Sequence, residues 1–418
     1  MSLKNLSFAA VVIASLLPVS ALATNGYFSH GFGVRAQAVA GTAFALPQDA
    51  LAAASNPAGT AWVNSRVDAG MTYFRPQRES RISGSANPAV NGRYDANRDS
   101  AFWIPELGVV QALSEQLAWG VAIYGNGGMN TRYKDNPFAA FGGQGDAGVD
   151  MRQAFFTPSI AFRPLPQHSF GVALTFAYQE FAARGIQGFA GFSSNGTAVS
   201  NNSHDSATGW GIKLGWLGQL HERVRLGVSW SSRIRMDAFD DYAGLFAGYG
   251  DFDVPENYGI GISVLAADSL TVAADWQRIE YSEIASVGNP VNSLFAGQPL
   301  GTANGPGFGW QDIDVIKLGL VYQPHAAWTL RAGISHADQP IPRDQTFFNI
   351  LAPGVIEDHA SIGFSWNSGR NGEWSVSYTH AFEETVEGKS SIPVAFGGGE
   401  ADLTMSQDIF AVSWSKGL

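Results

Sequence analysis

The sequence predicts an all-β protein: a 14-stranded antiparallel transmembrane β-barrel with an N-terminal hatch domain plugging the lumen. Three observations predict it. Hydrophobic residues make up 45% of the chain and charged residues only 15%, with 49 Gly and 12% aromatics, whereas soluble domains carry about 25% charged residues. No segment past residue 23 offers the uninterrupted apolar run, about 18 residues or more, that a spanning helix needs. From Arg66 onward, apolar and small or polar residues alternate with period two, the pattern of strands that face lipid on one side and a lumen on the other.

The chain opens with a secretory signal peptide, residues 1–23. Lys4 supplies the charge, Phe8 to Leu17 the short apolar core, Pro18 the break, and Ala21-Leu22-Ala23 the small-x-small cleavage site. Residues 24–65 follow, rich in Ala and Gly and poor in charge, with neither the 3.6-residue stripe of a helix nor the alternation of a strand. This stretch reads as the hatch, and 66–418 as the barrel around it.

Fourteen alternating runs are read in the barrel: 66–76, 103–113, 117–125, 151–164, 168–182, 207–220, 223–239, 254–265, 268–283, 309–324, 327–338, 357–368, 372–388 and 405–415. In the fifth, Phe170, Val172, Leu174, Phe176 and Tyr178 lie opposite Gly171, Ala173, Thr175 and Gln179. The apolar faces often begin or end in Trp, Tyr or Phe, as an interfacial girdle requires. Short connections alternate with long ones, and an even strand number places both ends of the barrel on the periplasmic side.

The long loops are apolar, where a general porin would have polar ones. Phe138 and Phe141, Phe189 and Phe192, Leu245 and Phe246, and Phe347 and Phe348 fall in four of them, and Phe28 in the hatch. Large exposed apolar patches mark binding surfaces, so these residues are the candidate ligand-binding set, alongside the plainer possibility that the loops cap the barrel by packing on one another. The net charge of −11 argues against nucleic acid. Cys is absent, so no disulfide is expected. G-x-S-x-G and H-E-x-x-H are absent and the eight His are scattered, so neither an enzyme, a cofactor nor a metal is expected.

The mature N-terminus, GFGVRAQAVAGTAFALPQDALAAASNPAG, resembles the hatch of the FadL/TodX outer-membrane transporters for long-chain fatty acids and aromatic hydrocarbons. The matching core is Gly31, Gly33 and Arg35, then Asp49-Ala50, then Asn56-Pro57-Ala58. VDAGMTYFRPQRESRISG, WIPELGVVQALSEQLAWGVAIYGN, VPENYGIGISV and WTLRAGISHADQPIP extend the resemblance over the whole mature chain. It implies passive uptake of a hydrophobic small molecule across the outer membrane of a Gram-negative bacterium: capture by the loops, binding in an interior pocket, and lateral release through a kinked third strand. Gly125-Asn126-Gly127-Gly128 is where the kink falls, and Asn56, Pro57 and Ala58 are expected to contact it as the gate. A fatty-acid ligand implies a basic partner for its carboxylate. Trp310-Gln311-Asp312 stands where the resemblance would put a Lys, and Arg184 is the nearest cation after the fifth strand. A neutral aromatic or aliphatic hydrocarbon is the alternative ligand; a nonspecific porin or a barrel lipase is the alternative of another class. Expected partners are the hydrophobic ligand, lipopolysaccharide or outer-membrane lipid, and the outer-membrane assembly machinery; a monomer is expected.

Overall fold

The computed structural model describes residues 25–418; the signal peptide read at 1–23 lies outside the described residues. The wall consists of β1 (Arg66–Ser83), β2 (Phe102–Ala112), β3 (Leu117–Asn130), β4 (Gly148–Leu165), β5 (His168–Arg184), β6 (Asp205–His221), β7 (Val224–Ser231), β8 (Asn257–Ala267), β9 (Leu270–Ile279), β10 (Ile313–His325), β11 (Trp328–Ala337), β12 (Asp358–Asn367), β13 (Glu373–Val386) and β14 (Glu400–Gly417). Each pairs antiparallel with its sequence neighbours, and β14 returns to β1 from Arg66↔Gly417 to Ser83↔Glu400. The ring closes through β14 and β1, so no terminal strand is left as an unpaired edge in lipid. Two further short strands, Gly92–Asp95 and Arg235–Met236, pair with β1 and β6 beside this ring of fourteen.

The alternation resolves into two faces. On β5, Phe170, Val172, Leu174, Phe176 and Tyr178 are exposed outward while Gly171, Ala173, Thr175, Ala177 and Gln179 are buried inside. Trp103, Trp210, Trp328, Trp366 and Trp374 stand exposed on the outer surface.

Several strands depart from the predicted bounds, β1, β7 and β14 among them. β1 and β14 continue past 76 and begin before 405. In these extensions the outward residues are Gln77, Glu79 and Arg81, and Asp402 and Thr404, so the hydrophobic alternation ends while the hydrogen-bond ladder continues. β7 stops at Ser231 rather than 239. Beyond it Ile234 bridges to Val254, and the Arg233 guanidinium pairs with Asp253 at 2.7 Å, drawing the chain off the wall.

Residues 25–65 lie inside the ring. On β2, a Cβ at Gly108 would come within 2.7 Å of the Ala50 backbone, and on β7 a Cβ at Gly227 would overlap the Phe44 carbonyl oxygen. Glycine at these wall positions is what lets the inner segment approach so closely.

Candidate functional site

Long loops from several sides meet over the barrel and bury their rings against one another. The space they leave is an upper cavity of about 50 Å³, lined by Phe138, Phe181, Phe189, Leu245, Phe246, Phe308 and Phe348, with almost no polar surface. Five of the nine candidate ligand residues line it. Phe141, Phe192 and Phe347 pack behind it on Phe396, at ring separations of 5.5, 5.2 and 5.6 Å. Phe28, the ninth, lines a lower cavity inside the barrel, also of about 50 Å³, with His30, Phe32, Phe44, Tyr124, Phe155, Asn126, Lys213, Asp275 and Lys317. Pockets that hold small ligands run to about 300–1,000 Å³, so occupying either cavity requires its side chains to swing aside.

A column of rings joins the two. Phe308 packs on Trp310 at 6.4 Å, Trp310 on Tyr281 at 5.2 Å, and Tyr281 on Phe28 at 5.8 Å. The column is pinned by polar edges: Trp310 Nε1 donates to Asn349 Oδ1 at 2.5 Å, and the Tyr281 hydroxyl donates to the Asn25 carbonyl at 2.5 Å.

Beside the lower cavity the wall is incomplete. β2 and β3 pair only between Leu107↔Ile123 and Ala112↔Ala118. Above Ile123, β3 keeps only its β4 neighbour, and from Phe102 to Glu106 β2 keeps only β1. β3 also slips by one residue: Gly125 faces Ala154 and Gly127 faces Gln153, leaving Asn126 as the extra residue of a bulge, a feature that bends a strand and breaks its ladder. Asn126 Nδ2 donates to Gln153 Oε1 at 2.9 Å.

The inner segment caps this free edge. Ser29 N donates to the Asn126 carbonyl at 2.8 Å and Gly128 N to the Tyr27 carbonyl at 3.1 Å. A Cβ at Gly127 would overlap the Tyr27 oxygen, so only glycine admits the approach. Higher up, the buried Arg78 of β1 reaches across to the carbonyls of Asn130 and Asp99.

Asn56, Pro57 and Ala58 do not make the contact expected of them. Asn56 Nδ2 donates to the Phe44 carbonyl at 2.8 Å and to the Trp216 carbonyl of β6 at 3.1 Å, and Ser169 Oγ of β5 donates to the Ala58 carbonyl at 3.0 Å. Pro57 opens the 3₁₀ turns Pro57–Trp62, and that compact winding carries the tripeptide to β5 and β6. Tyr27–Ser29, from the other end of the segment, meets the Gly125–Gly128 break instead.

Buried polar groups hold the rest of the segment. Asp275 Oδ2 accepts from Ala43 N at 2.7 Å and Phe44 N at 3.0 Å. Glu106 accepts from Gly33 N at 3.2 Å and Val34 N at 3.0 Å. Arg35 pairs with Glu373 at 2.8 Å. Burial, with Asp68 close by, pushes the Asp49 carboxyl up to about 6. Lys317 lies across from Asp275 and donates to the His30 carbonyl at 3.1 Å; Arg331 donates to Gln48 Oε1 at 2.7 Å. Lys213 is buried, donates to the Ala54 carbonyl, and makes no ion pair among the described residues. Arg184, at the end of β5, lines neither cavity.

Tyr27, Ser29, Tyr281, Gln153 and Lys213 therefore join the candidate site although no sequence motif marks them for it. What unites them is the winding of an aperiodic segment. The upper cavity gives a direct test. Phe348→Lys places a charge on its carbon wall and is expected to weaken binding of an apolar fluorescent probe about tenfold or more, as loss of one buried large side chain implies, with heat-modifiability on gels unchanged. Wild-type affinity would mean that the rings only pack the loops.

The profile of the family described as "Outer membrane protein transport protein (OMPP1/FadL/TodX)" matches residues 10–415. The long-chain fatty acid transport protein of Escherichia coli strain K12 is 25% identical over 397 residues, covering 85% of this chain and 86% of that one. The protein of the same name from Salmonella typhi is 24% identical over 414 residues, covering 90% and 91%. Among solved structures, the Pseudomonas putida toluene transporter TodX superposes with a TM-score of 0.69 at 17% identity over 93% of this chain and 99% of that one. A Pseudomonas aeruginosa FadL homologue gives 0.71 at 17% identity over 94% and 99%. A family match over nearly the whole length, on a closed fourteen-stranded wall, settles the class: the chain belongs to the OMPP1/FadL/TodX family, outer-membrane β-barrel transporters of hydrophobic substrates in Gram-negative bacteria.

Proposed function

We propose that the protein takes up long-chain fatty acids or closely related amphiphiles passively and releases them sideways into the outer membrane. The observation that carries this reading is the unpaired stretch between β2 and β3, which opens beside the lower cavity and is covered by Tyr27–Ser29. Each methylene exposed to water costs about 0.8 kcal/mol, so an apolar chain gains from a route that is carbon-lined from loops to bilayer. The ligand is captured among Phe138, Phe189, Leu245, Phe246 and Phe348. It then displaces side chains along the Phe308–Trp310–Tyr281 column and settles against Phe28, Tyr124 and Phe155. Withdrawal of Tyr27–Ser29 from the β3 edge opens the wall. Residues 24–65 act as the plug, with Asn56-Pro57-Ala58 as the fixed foot on β5 and β6 about which the leading end moves. Nothing in the mechanism needs an energy source, so flow follows the gradient.

Lys213 favours an acidic head over a neutral hydrocarbon. It is a buried cation at the lower cavity with a backbone carbonyl for a partner and no carboxylate, and a charge left so is costly until an anion joins it. The long-chain fatty acid transport proteins among its relatives agree with this choice. The carbon-lined upper cavity, and the fold shared with the toluene transporter TodX, suit the alternative, a neutral hydrocarbon. Lys213→Met separates them. Affinity for dodecanoate is expected to fall about tenfold, the worth of one charge-assisted hydrogen bond, while affinity for dodecane stays the same. Equal affinities before and after the change would leave the hydrocarbon reading standing.

A further inference from the structure

Between the two cavities the wall carries a pair of amides, Gln153 and Gln179, with polar atoms that the transport route does not use. Gln153 of β4 and Gln179 of β5 are directly opposite each other, both facing inward and fully buried. Along β4, Val149 lines the upper cavity and Phe155 the lower one; along β5, Phe181 and Thr175 do the same. The amide pair thus sits at the waist between them, and directly opposed side chains on one face of a sheet lie close enough to grip one group.

Each amide has one half occupied and one half free. Gln153 Oε1 accepts from Asn126 Nδ2 at 2.9 Å, and Gln179 Nε2 donates to the Phe252 carbonyl at 3.1 Å. Gln153 Nε2 and Gln179 Oε1 have no hydrogen-bond partner among the described residues. The Tyr27 hydroxyl approaches the Gln153 amide without reaching hydrogen-bond geometry and is unpartnered too. Buried polar atoms are nearly always paired, so an unpartnered donor on Gln153 and an unpartnered acceptor on the directly opposed Gln179 define the complement they want.

Resting on the transport reading above, we propose that Gln153 and Gln179 form a head-reading site for an uncharged group that both donates and accepts a hydrogen bond: a primary alcohol, or a carboxylic acid in its protonated form. The head accepts from Gln153 Nε2 and donates to Gln179 Oε1. An alkane leaves both amide atoms bare. An ether satisfies only the donor, and an ionised carboxylate turns its charge toward the Gln179 oxygen. Since the other atom of the Gln153 amide holds Asn126, the extra residue of the β3 bulge, a head bound here stands one hydrogen bond from the opening in the wall. The site sorts heads before the chain reaches Lys213.

The test measures displacement of a fluorescent apolar probe from the purified full-length protein by dodecane, dodecyl methyl ether and 1-dodecanol. The expected order is dodecanol about tenfold tighter than dodecane, equivalent to about 1.4 kcal/mol, with the ether between. Gln179→Leu is expected to bring dodecanol to the affinity of dodecane and to leave dodecane within about twofold. A purely structural role for Gln179 would weaken all three together. In a Lys213→Met background, dodecanoic acid at about pH 3, where it is protonated, is expected to bind more tightly than at about pH 8, where it is ionised, and Gln179→Leu is expected to narrow the difference to the cost of burying the unpaired carboxylate. This arm tells the acid from the alcohol as the head accepted. Equal affinity of the wild-type protein for dodecane, ether and alcohol overturns the proposal with no variant needed. Failure of every one of them to displace the probe overturns the transport reading itself.

Discussion

Asp275→Ala is expected to raise the steady ion conductance of the protein in planar bilayers several-fold over the wild type. One carboxylate oxygen accepts both Ala43 N and Phe44 N, and hydrogen bonds to charged groups contribute about 1.5–3 kcal/mol each. Those two residues form the bend by which the inner segment rests on β9. Removing the carboxylate orphans two buried N–H groups and strips Lys317 of the negative charge opposite it. The segment then gains by moving off the wall and letting water reach those groups, and water that reaches them carries ions. Asp275→Asn keeps an accepting oxygen without the charge and is expected to fall between the two. Conductance of the alanine variant indistinguishable from wild type would mean that the segment does not seal the lumen, or that Glu106 and the Arg35–Glu373 pair hold it unaided.

The wall was legible because lipid imposes a period. Phe170 to Tyr178 must face outward and Gly171 to Gln179 inward, and that constraint writes itself into every second residue. Where the constraint lapses, legibility lapses with it. The extensions of β1 through Glu79 and Arg81 and of β14 from Glu400 lie where outward residues are polar, and the ladder there leaves no hydrophobic trace. The bulge was marked in advance by Gly125-Asn126-Gly127-Gly128, since glycine tolerates what a bulge requires. What docks on it was not. The partner is set by how the aperiodic residues 25–65 wind through the lumen, and that winding took Asn56 to β6 and Tyr27 to β3. One signal lay unused in WIPELG. Pro105 cannot donate to a ladder, and proline within a strand marks an edge; Pro105 sits on the part of β2 that has lost its β3 neighbour.

Deleting Asn126 is expected to cut uptake of an apolar ligand about tenfold or more while leaving assembly of the barrel intact. The deletion takes out the extra residue and no side-chain alternation: with Gly125 opposite Ala154 and Gly127 opposite Gln153, the shortened strand continues in the register it already has. A straight β3 then offers its edge to Phe102–Glu106 of β2, and the ladder that stops at Leu107↔Ile123 extends upward across the exit, interrupted only at the missing N–H of Pro105. Gly127→Val disturbs the same place in the opposite sense. Its side chain would collide with the Tyr27 carbonyl, whose oxygen overlaps the position of a Cβ. That should push Tyr27–Ser29 off a β3 edge that remains bulged and unpaired, so uptake is maintained or raised and ion leakage increases. The pair of variants thus separates closing the wall from dislodging its cover. Normal uptake by the deletion variant, measured with a labelled fatty acid in cells that produce wild-type amounts of folded barrel, would show that ligand does not leave between β2 and β3. It would send the search for the exit to the foot of the lumen, where Asn56-Pro57-Ala58 rests on β5 and β6.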